Sequence, residues 1–383
     1  MNIVSFRPGV IGNNTAFECM ALIYKYLQER HGYSFTIVKG EGDRYDDPAF
    51  KVVSLPSRLW RPITHTPFFP PFAGRKRRLA ELFGKADLIL TVDPTVFPQG
   101  LLAIRAAVAL HLPVWFDSSV TLMGTGHTLQ WKIAKRVVRP VLEKVAGIII
   151  TVPKCVERFQ DLALFSERIA DKFVLMGHPV DCDRFRPRPE EHPADGRFRL
   201  LVVSRLMPEK GLLYILEAVE PLLCEDPRLL LQILGSGPMK PLLEKEVRER
   251  GLEGQVEFLP PVPYGELQLS MAGADVFLNH AVSTSGWEEF FGAANIEAMA
   301  CGLPAILSNN GGITHVVRGD DVAFLVGERD VAGIRRALRQ LLQEPGLRQS
   351  MGERARRYVQ EHYEISVIGE RYRRMLETGR DSR

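Results

Sequence analysis

The sequence has few cysteines and no pairing pattern among them. Its five cysteines are scattered and odd in number, and none forms a Cys-x-x-Cys pair. Neither a disulfide framework nor a zinc site is indicated, and a reducing cytoplasm fits this usage best. No run approaches the ~18–20 apolar residues that a membrane-spanning helix needs. The N-terminus, MNIVSFRPGV, lacks a basic region followed by an apolar one, so we expect no secretion signal and a cytoplasmic protein.

Net charge is also small, at +3, and no nucleic-acid recognition motif is present, so we expect no nucleic-acid partner. The sequence lacks the Lys-Ser/Thr ending of a nucleotide P-loop, which disfavours an ATPase. Residues 1–187 are net basic and the remainder is net acidic. Either the first half meets an anionic partner, or the asymmetry is chance surface charge.

Short apolar runs alternate with longer amphipathic ones along the chain, which predicts parallel α/β sheets. Predicted strands lie at 2–6, 35–39, 87–92, 113–117 and 147–152, and again at 199–204, 229–234, 255–259, 275–279, 304–308 and 323–327. Two series in 383 residues predict two doubly wound, Rossmann-like domains. We place them at 1–187 and 188–363, with the Pro-rich, charged stretch 186–198 as the linker.

A pair of cations follows the first predicted strand of the second domain. The stretch VVSRLMPEKG places Arg205 and Lys210 in a loop after Ser204, with Gly211 opening a helix. Two cations beside a helix N-terminus favour a multiply charged anion. A salt-bridged loop would explain the same residues, so this stretch alone leaves both interpretations open.

Two later stretches suggest ligand contacts. LQILGSGP ends a predicted strand at Gly235 and Gly237, where the missing side chains allow backbone to approach a ligand closely. In EFFGAANIE, Glu289 and Glu297 would not share a face of one continuous helix. We therefore expect a helix that begins near Gly292, with Glu289 in the preceding loop. Both carboxylates could then accept hydrogen bonds from hydroxyl groups around an anion at the helix N-terminus.

Together these motifs resemble the retaining glycosyltransferases of family 4, which have the GT-B fold. The resemblance covers nearly all of residues 170–363 and is carried by five stretches in order. They are MGHPVDCDRFRP, SRLMPEKG, VEFLPPVPYGEL, EFFGAANIE and AMACGLPAILSNNGG. The resemblance implies two domains facing a cleft, with the C-terminal helix at 364–383 packing back on the first domain.

The resemblance also implies a role for each motif residue. Arg205 and Lys210 would hold the diphosphate of a nucleoside diphosphate sugar, and Glu289 would contact the transferred sugar. Glu297 would accept hydrogen bonds from the ribose hydroxyls. Ligand hydroxyls, and not protein cations, would then offset both carboxylates. The remaining implied donor-binding residues are Gly12, Ser204, Gly235, Gly237 and Gly292.

The first half fits the family only in outline. Many relatives carry a histidine in a segment that aligns with PVWFDSSV, and Ser119 stands there in this sequence. Whether His127 substitutes for that histidine is left open. Asp117, Ser119 and His127 are therefore the candidate contacts to the acceptor or the donor sugar.

No metal and no cofactor is expected, and the nucleoside diphosphate sugar is a co-substrate. The DCD stretch at 181–183 is similar to a DxD metal motif, but its position beside the linker indicates a turn. No other Asp, His or Cys cluster suggests a metal. The cationic loop and a helix dipole can stabilise a leaving diphosphate instead.

A stretch at 57–79 interleaves aromatic, proline and basic residues. Such segments can dock on anionic lipid headgroups, and a basic face at Lys132, Lys135, Arg136 and Arg139 adds to that possibility. A solvated helix face beside an irregular loop is the alternative. We expect a protein that is cytoplasmic, with an anionic membrane surface as a possible partner.

The resemblance, together with these observations, implies a metal-independent, retaining glycosyltransferase. It would move a hexose from a nucleoside diphosphate sugar to a hydroxyl of a glycan or lipid-linked acceptor, in lipid-linked or cell-envelope glycan synthesis. Two alternatives remain: a nucleotide-sugar epimerase on the same fold, and a non-catalytic protein that binds sugar nucleotides or a membrane surface.

Overall fold

The computed structural model divides into two compact units, one of them discontinuous in sequence. The first unit is Met1–Pro179 with Ile365–Arg383, and the second is Val180–Glu364. The residues described are 1–11, 15–61, 73–118, 129–319 and 321–381.

The described part of the first unit is built on a seven-stranded parallel sheet. Its strands are β1 (Asn2–Phe6), β2 (Ser34–Gly40), β3 (Lys51–Leu55), β4 (Leu88–Val92), β5 (Val114–Ser118), β6 (Gly147–Ile150) and β7 (Phe173–Leu175). They pair in the order β3-β2-β1-β4-β5-β6-β7. β4 and β6 are buried along their whole length, as expected for strands covered on both faces.

Helices connect these strands in the order of the chain. They are α1 (Thr15–His31), α2 (Ser57–Trp60), α3 (Ala73–Phe83), α4 (Pro98–Ala109), α5 (Leu129–Leu142), α6 (Lys154–Asp161) and α7 (Glu167–Ala170). The first residue of β6 is Gly147, and only glycine fits there because a Cβ would lie 1.9 Å from the ring of Trp115 on the neighbouring strand.

The second unit has a six-stranded parallel sheet in the part of the chain described. Its strands are β8 (Phe198–Val203), β9 (Leu229–Leu234), β10 (Val256–Leu259), β11 (Val276–Asn279), β12 (Ala305–Ser308) and β13 (Phe324–Val326), in the order β10-β9-β8-β11-β12-β13. Its helices are α8 (Leu212–Glu225), α9 (Lys240–Glu249), α10 (Leu267–Ala272), α11 (Ala293–Ala300), α12 (Ile313–Val316), α13 (Val331–Gln343) and α14 (Pro345–His362). The predicted pair of doubly wound, Rossmann-like α/β domains is thereby confirmed.

The C-terminal helix α15 (Ile365–Asp381) lies on the first unit, against α1. Glu370 accepts a hydrogen bond from the hydroxyl of Tyr26 at 3.1 Å and lies 2.7 Å from Nε2 of His31. The buried hydroxyl of Tyr372 donates to the sulfur of Met20 at 3.4 Å. Polar and buried contacts together hold this distant segment of sequence on the first sheet.

The boundary between the units differs from the one predicted after residue 187. The chain enters the second unit at Val180, whose N–H donates to the carbonyl of Tyr363 at 2.7 Å. Phe185 is fully buried and lies 5.7 Å, between ring centroids, from Tyr264 of the second unit, so residues 180–187 belong to the second domain. The predicted linker 186–198 therefore lies inside that domain.

The aromatic and basic stretch at 57–79 is partly structural. Trp60 is 7% exposed and donates its indole N–H to the carbonyl of Leu55 at 3.1 Å. Arg75 is 8% exposed and donates to the carbonyls of Arg58 and Leu59. Neither residue is therefore the exposed lipid contact that the stretch suggested, and its residues 62–72 lie outside those described.

Within the described parts of the chain, no helix has the length and apolar character needed to cross a bilayer.

Arg356 of α14 ties the entry segment of the second unit to α11. Its guanidinium donates to the carbonyls of Cys182, Phe185 and Ala300. Arg356→Ala leaves these acceptors without their charged donor, and we expect a loss of ~2–3 kcal/mol in the free energy of unfolding. Urea unfolding measures the loss. The neighbouring, exposed Arg357→Ala is the matched control, and equal midpoints for the two variants would contradict this role.

Candidate functional site

Five loops of the second unit lie together at the edge of its sheet that the carboxyl ends of the strands form, because all the strands are parallel. The strand order reverses beside β8, which lies between β9 and β11. Open α/β sheets bind ligands at such a switch point. The loops are 204–211 after β8, 235–239 after β9, 280–292 after β11, 309–312 after β12 and 327–330 after β13.

The structure brings Lys210 and Glu289 into direct contact at this edge. Their ammonium and carboxylate form an ion pair, with side chains only 11% and 12% exposed. The ammonium also lies 4.6 Å from the ring centroid of Trp287, in a cation–π contact. The expectation that ligand hydroxyls alone offset the carboxylates is therefore wrong for Glu289, because a protein cation is its partner. Sequence reasoning missed this pair because the two residues are 79 positions apart.

The helix predicted to begin near Gly292 is α11, whose first residue is Ala293. Gly292 has φ +67°, and a Cβ there would lie 2.4 Å from Nδ2 of Asn295. A side chain at this position would therefore be strained as well as crowded. As expected, Glu289 lies in the loop before the helix and Glu297 lies within it.

Glu297 is the buried carboxylate of the site. Its side chain accepts a hydrogen bond from the hydroxyl of Tyr264 at 3.0 Å, and the residue is 3% exposed. Burial raises the pKa of Glu297 to about 7, against the opposing effect of the Tyr264 hydrogen bond. A carboxyl group of this kind is ready to accept hydrogen bonds from ligand hydroxyls, which would favour its ionised form.

Arg205 has the exposure needed to meet a ligand. Its side chain is 62% exposed, and its contact with Glu209 is long, at 3.4 Å. Ser204, one position earlier, has a buried Oγ with no hydrogen-bond partner in the described parts of the chain. An exposed cation and an unsatisfied hydroxyl thus sit side by side after β8.

Gly235 and Gly237 allow two loops to pack together. A Cβ at Gly235 would lie 1.9 Å from the carbonyl oxygen of Ser204, and one at Gly237 would lie 2.4 Å from that of Leu206. These glycines are explained by the approach of their loop to the loop after β8. Their expected contact with a donor stays a prediction.

In the first unit, Asp117 near the end of β5 pairs with the buried Arg7 after β1. The side chain of Asp117 is 21% exposed. Burial lowers the pKa of His178 to about 4, against the opposing effect of the Asp117 charge, so the imidazole of His178 is neutral at pH 7. His178 was not singled out from the sequence, although the quoted MGHPV stretch contains it. The other first-half candidates, Gly12, Ser119 and His127, lie outside the described residues.

Among the residues that the structure describes, no group of three or more His, Cys, Asp or Glu side chains could hold a metal ion.

Residues 183–358 match the family model of glycosyl transferases group 1. The chain is 26% identical over 363 residues to a GDP-mannose-dependent alpha-(1-6)-phosphatidylinositol monomannoside mannosyltransferase of Mycolicibacterium smegmatis, covering 89% of this chain and 88% of that protein. It is 29% identical over 314 residues to a phosphatidyl-myo-inositol mannosyltransferase of the same organism, covering 81% and 76%. The matched family segment is the unit that carries Lys210, Glu289 and Glu297.

Two solved structures are similar over whole chains. Anabaena Alr3699/HepE in complex with UDP superposes with a TM-score of 0.78 and 16% identity, covering 99% of this chain and 100% of that one. Sucrose-phosphate synthase from Thermosynechococcus elongatus superposes with a TM-score of 0.72 and 17% identity, covering both chains completely. At such identities the likeness shows the fold. Residues 183–358 are thus similar to glycosyl transferases group 1, and the chain as a whole shares the two-domain GT-B fold of these solved structures.

Proposed function

We propose that this protein is a retaining glycosyltransferase that moves a hexose from a nucleoside diphosphate sugar to a hydroxyl of a lipid-linked or cell-envelope glycan acceptor. The observation that carries the proposal is the grouping of Arg205, Lys210 and Glu289 on loops at one edge of the sheet, with Glu297 on the helix α11 that follows. Two cations suit the diphosphate, and two carboxylates suit the hydroxyls of the sugar and the ribose.

Negative charge develops on the leaving diphosphate in the transition state, and the site must stabilise that charge to lower the activation barrier. Arg205 and Lys210 offset that charge as the bond between the anomeric carbon and the phosphate oxygen breaks. The acceptor oxygen attacks from the same face, and a diphosphate oxygen takes the acceptor proton. This reaction needs no protein base, no metal and no cofactor. Lys210 is already held by Glu289, so its ammonium is placed before the donor arrives.

The two mannosyltransferase relatives guide the choice of substrates. One is named for GDP-mannose as the donor, and both are named for phosphatidylinositol-type acceptors. We infer a glycolipid acceptor of this chemical class, and GDP-mannose is the first donor to test. The protein would then work at the cytoplasmic face of a membrane, bound peripherally.

Replacing Arg205 tests the diphosphate assignment. Arg205→Ala should lower kcat for sugar transfer about 100-fold or more, since one charge-stabilising donor is lost in the transition state. The matched control is Arg228→Ala, because Arg228 is 74% exposed, precedes β9 at the opposite edge of the sheet and pairs locally with Asp226. A folded Arg205→Ala variant with the turnover of this control would refute the assignment.

At pH 8, Glu297→Gln should weaken nucleotide binding and should stabilise the protein that has no ligand bound. Burial raises the pKa of Glu297 from 4.5 to about 7. The folded state therefore prefers the protonated form, and the stability that this contributes is present below pH 4.5 and lost as pH rises to about 7. Above that pH the wild type bears a cost on the order of 3 kcal/mol, which the neutral amide avoids.

Thermal melting and calorimetry at pH 8 separate the two effects. We expect a higher melting temperature for Glu297→Gln and a nucleoside diphosphate affinity that is weaker by about tenfold or more, as for a lost charge-assisted hydrogen bond. Wild-type affinity should also rise more steeply between about pH 6 and pH 8 than that of the variant, whose remaining pH dependence comes from the terminal phosphate of the ligand, with a pKa of about 6. Unchanged affinity at pH 8 would remove Glu297 from the site.

Membrane association is the remaining part of the proposal. Lys76, Arg77 and Arg78 of α3 are exposed, as are Arg136 and Arg139 of α5. Each basic residue near an anionic bilayer contributes ~1 kcal/mol, so such a set can hold a protein reversibly. We expect flotation with vesicles that contain anionic lipid, and release at about 1 M salt, where the Debye length is ~3 Å.

Neutralising Lys76, Arg77 and Arg78 to Gln should reduce flotation without lowering donor hydrolysis. The matched control neutralises three exposed cations of the second unit: Lys245, Arg248 and Arg336. Failure of the wild type to float at low salt would end the membrane proposal and favour a soluble acceptor.

A further inference from the structure

We propose that Glu328 and Asn310 form a hydrogen-bond relay that positions the loop carrying Glu289. Asn310 is 1% exposed and lies in the loop after β12. Its Oδ1 accepts from the backbone N–H of Glu289 at 2.7 Å. Its Nδ2 donates to Oε1 of Glu328 at 2.7 Å and to Oγ of Ser283 at 3.0 Å. One buried amide thus joins the loops after three strands.

Glu328 fixes the far end of this relay. Its Oε2 accepts from the backbone N–H of Ser283 at 2.7 Å, and its Oε1 accepts from the Ser283 hydroxyl at 2.6 Å. Burial opposes its ionisation, but hydrogen bonds from Ser283 and Asn310 lower the pKa of Glu328 below its ordinary value. Glu328 is therefore a carboxylate at neutral pH, and both its oxygens only accept.

The carboxylate determines which way the Asn310 amide faces. Because Glu328 offers no donor, Asn310 must turn its NH₂ toward Glu328, and this leaves its oxygen toward the N–H of Glu289. Reversing the amide would set donor against donor at Glu289 and acceptor against acceptor at Glu328. A buried donor or acceptor without a hydrogen-bond partner costs about 1–3 kcal/mol, so this orientation of the Asn310 amide is strongly preferred.

The same loop also holds the other side of the Glu289 peptide. The N–H of Gly312 donates to the carbonyl of Glu289 at 2.8 Å. A Cβ at Gly311 would lie 2.1 Å from that carbonyl oxygen, so only glycine admits this approach. The backbone of Glu289 is therefore fixed at both its N–H and its C=O, and its side chain reaches Lys210 from a rigid base.

This inference rests on the proposed function, in which Glu289 and Lys210 act on the donor. Glu328 and Asn310 touch neither the donor nor the reacting atoms in that scheme, so they are positioning residues. Their effect should fall on kcat, through misplacement of Glu289 and Lys210, more than on KM.

A donor–acceptor exchange tests the relay. Glu328→Gln places an amide NH₂ against one of the donors that the carboxylate now accepts from, and Asn310→Asp places a carboxylate against Glu328. In the double variant, Gln at 328 donates to Asp at 310 and to the Ser283 hydroxyl, and its oxygen accepts from the Ser283 N–H. The second oxygen of Asp at 310 still accepts from the Glu289 N–H, and the net charge equals that of the wild type.

We expect each single variant to lower kcat tenfold or more. The assay uses saturating donor and a temperature well below the melting temperature of each variant. The double variant should recover to within about threefold of the wild type. Gln343→Glu makes the same exchange of an amide for a carboxylate at the exposed last residue of α13, outside the five loops of the site, and as the control it should leave kcat unchanged. Wild-type kcat in both single variants would overturn the relay, and so would a folded double variant as impaired as the single ones. A general loss of stability cannot produce recovery by a second unfavourable substitution.

The two failures are distinguishable. If the wild type turns over no sugar nucleotide, the proposed function fails, and the relay is then tested by the unfolding equilibrium of the same four proteins. In that case we add the losses in unfolding free energy of the two single variants to obtain the value expected without coupling. The unfolding equilibrium constant of the double variant should be at least tenfold smaller than that sum predicts. Additive losses would overturn the relay.

Discussion

The ion pair between Lys210 and Glu289 is the contact on which the arrangement of the site depends. Both side chains are nearly buried, and removing one partner from such a pair leaves an uncompensated charge at a cost of about 3–5 kcal/mol. The pair joins the loop after β8 to the loop after β11, on the two sides of the strand reversal. Trp287 lies against the ammonium, and Asn310 and Gly312 fix the Glu289 backbone.

Two carboxylates of one short segment thereby acquire different chemistry. Glu289 is paired with a cation, whereas Glu297 faces a phenol hydroxyl and has a pKa raised by burial. The difference arises from Gly292, whose left-handed backbone turns the chain into α11 between them. An acid in an apolar segment is costly unless something offsets it. In the proposed reaction the nucleotide offsets Glu297, and Lys210 offsets Glu289 before any ligand binds.

Much of the fold was accessible from sequence because buried parallel strands are continuous apolar runs. β4 and β9 are of this kind and were predicted within one residue of their bounds. β3 and β7 were missed because they lie at the sheet edges and are short and half exposed. The start of α11 was predicted because Glu289 and Glu297 would not share a face of one continuous helix, which favours a helix that begins near Gly292 between them.

Other features depend on contacts between residues far apart in sequence. The partner of Glu289 lies 79 residues away, and the domain entry at Val180 depends on Tyr363. Neither pairing leaves a local pattern. The stretch at 57–79 suggested a surface that docks on lipid, but backbone carbonyls accept hydrogen bonds from Trp60 and Arg75 within it and allow their burial. The orientation of the Asn310 amide likewise depends on Glu328, 18 positions away.

The central claim is that Lys210 is held by Glu289 for a diphosphate. Calorimetric titration of the wild type and Lys210→Met with a nucleoside diphosphate and its matching monophosphate tests it most directly, using GDP and GMP first and UDP and UMP second. The account predicts that Lys210→Met binds the diphosphate at least tenfold more weakly, about 1.4 kcal/mol, with a much smaller loss for the monophosphate. Equal diphosphate affinity in the two folded proteins would contradict it.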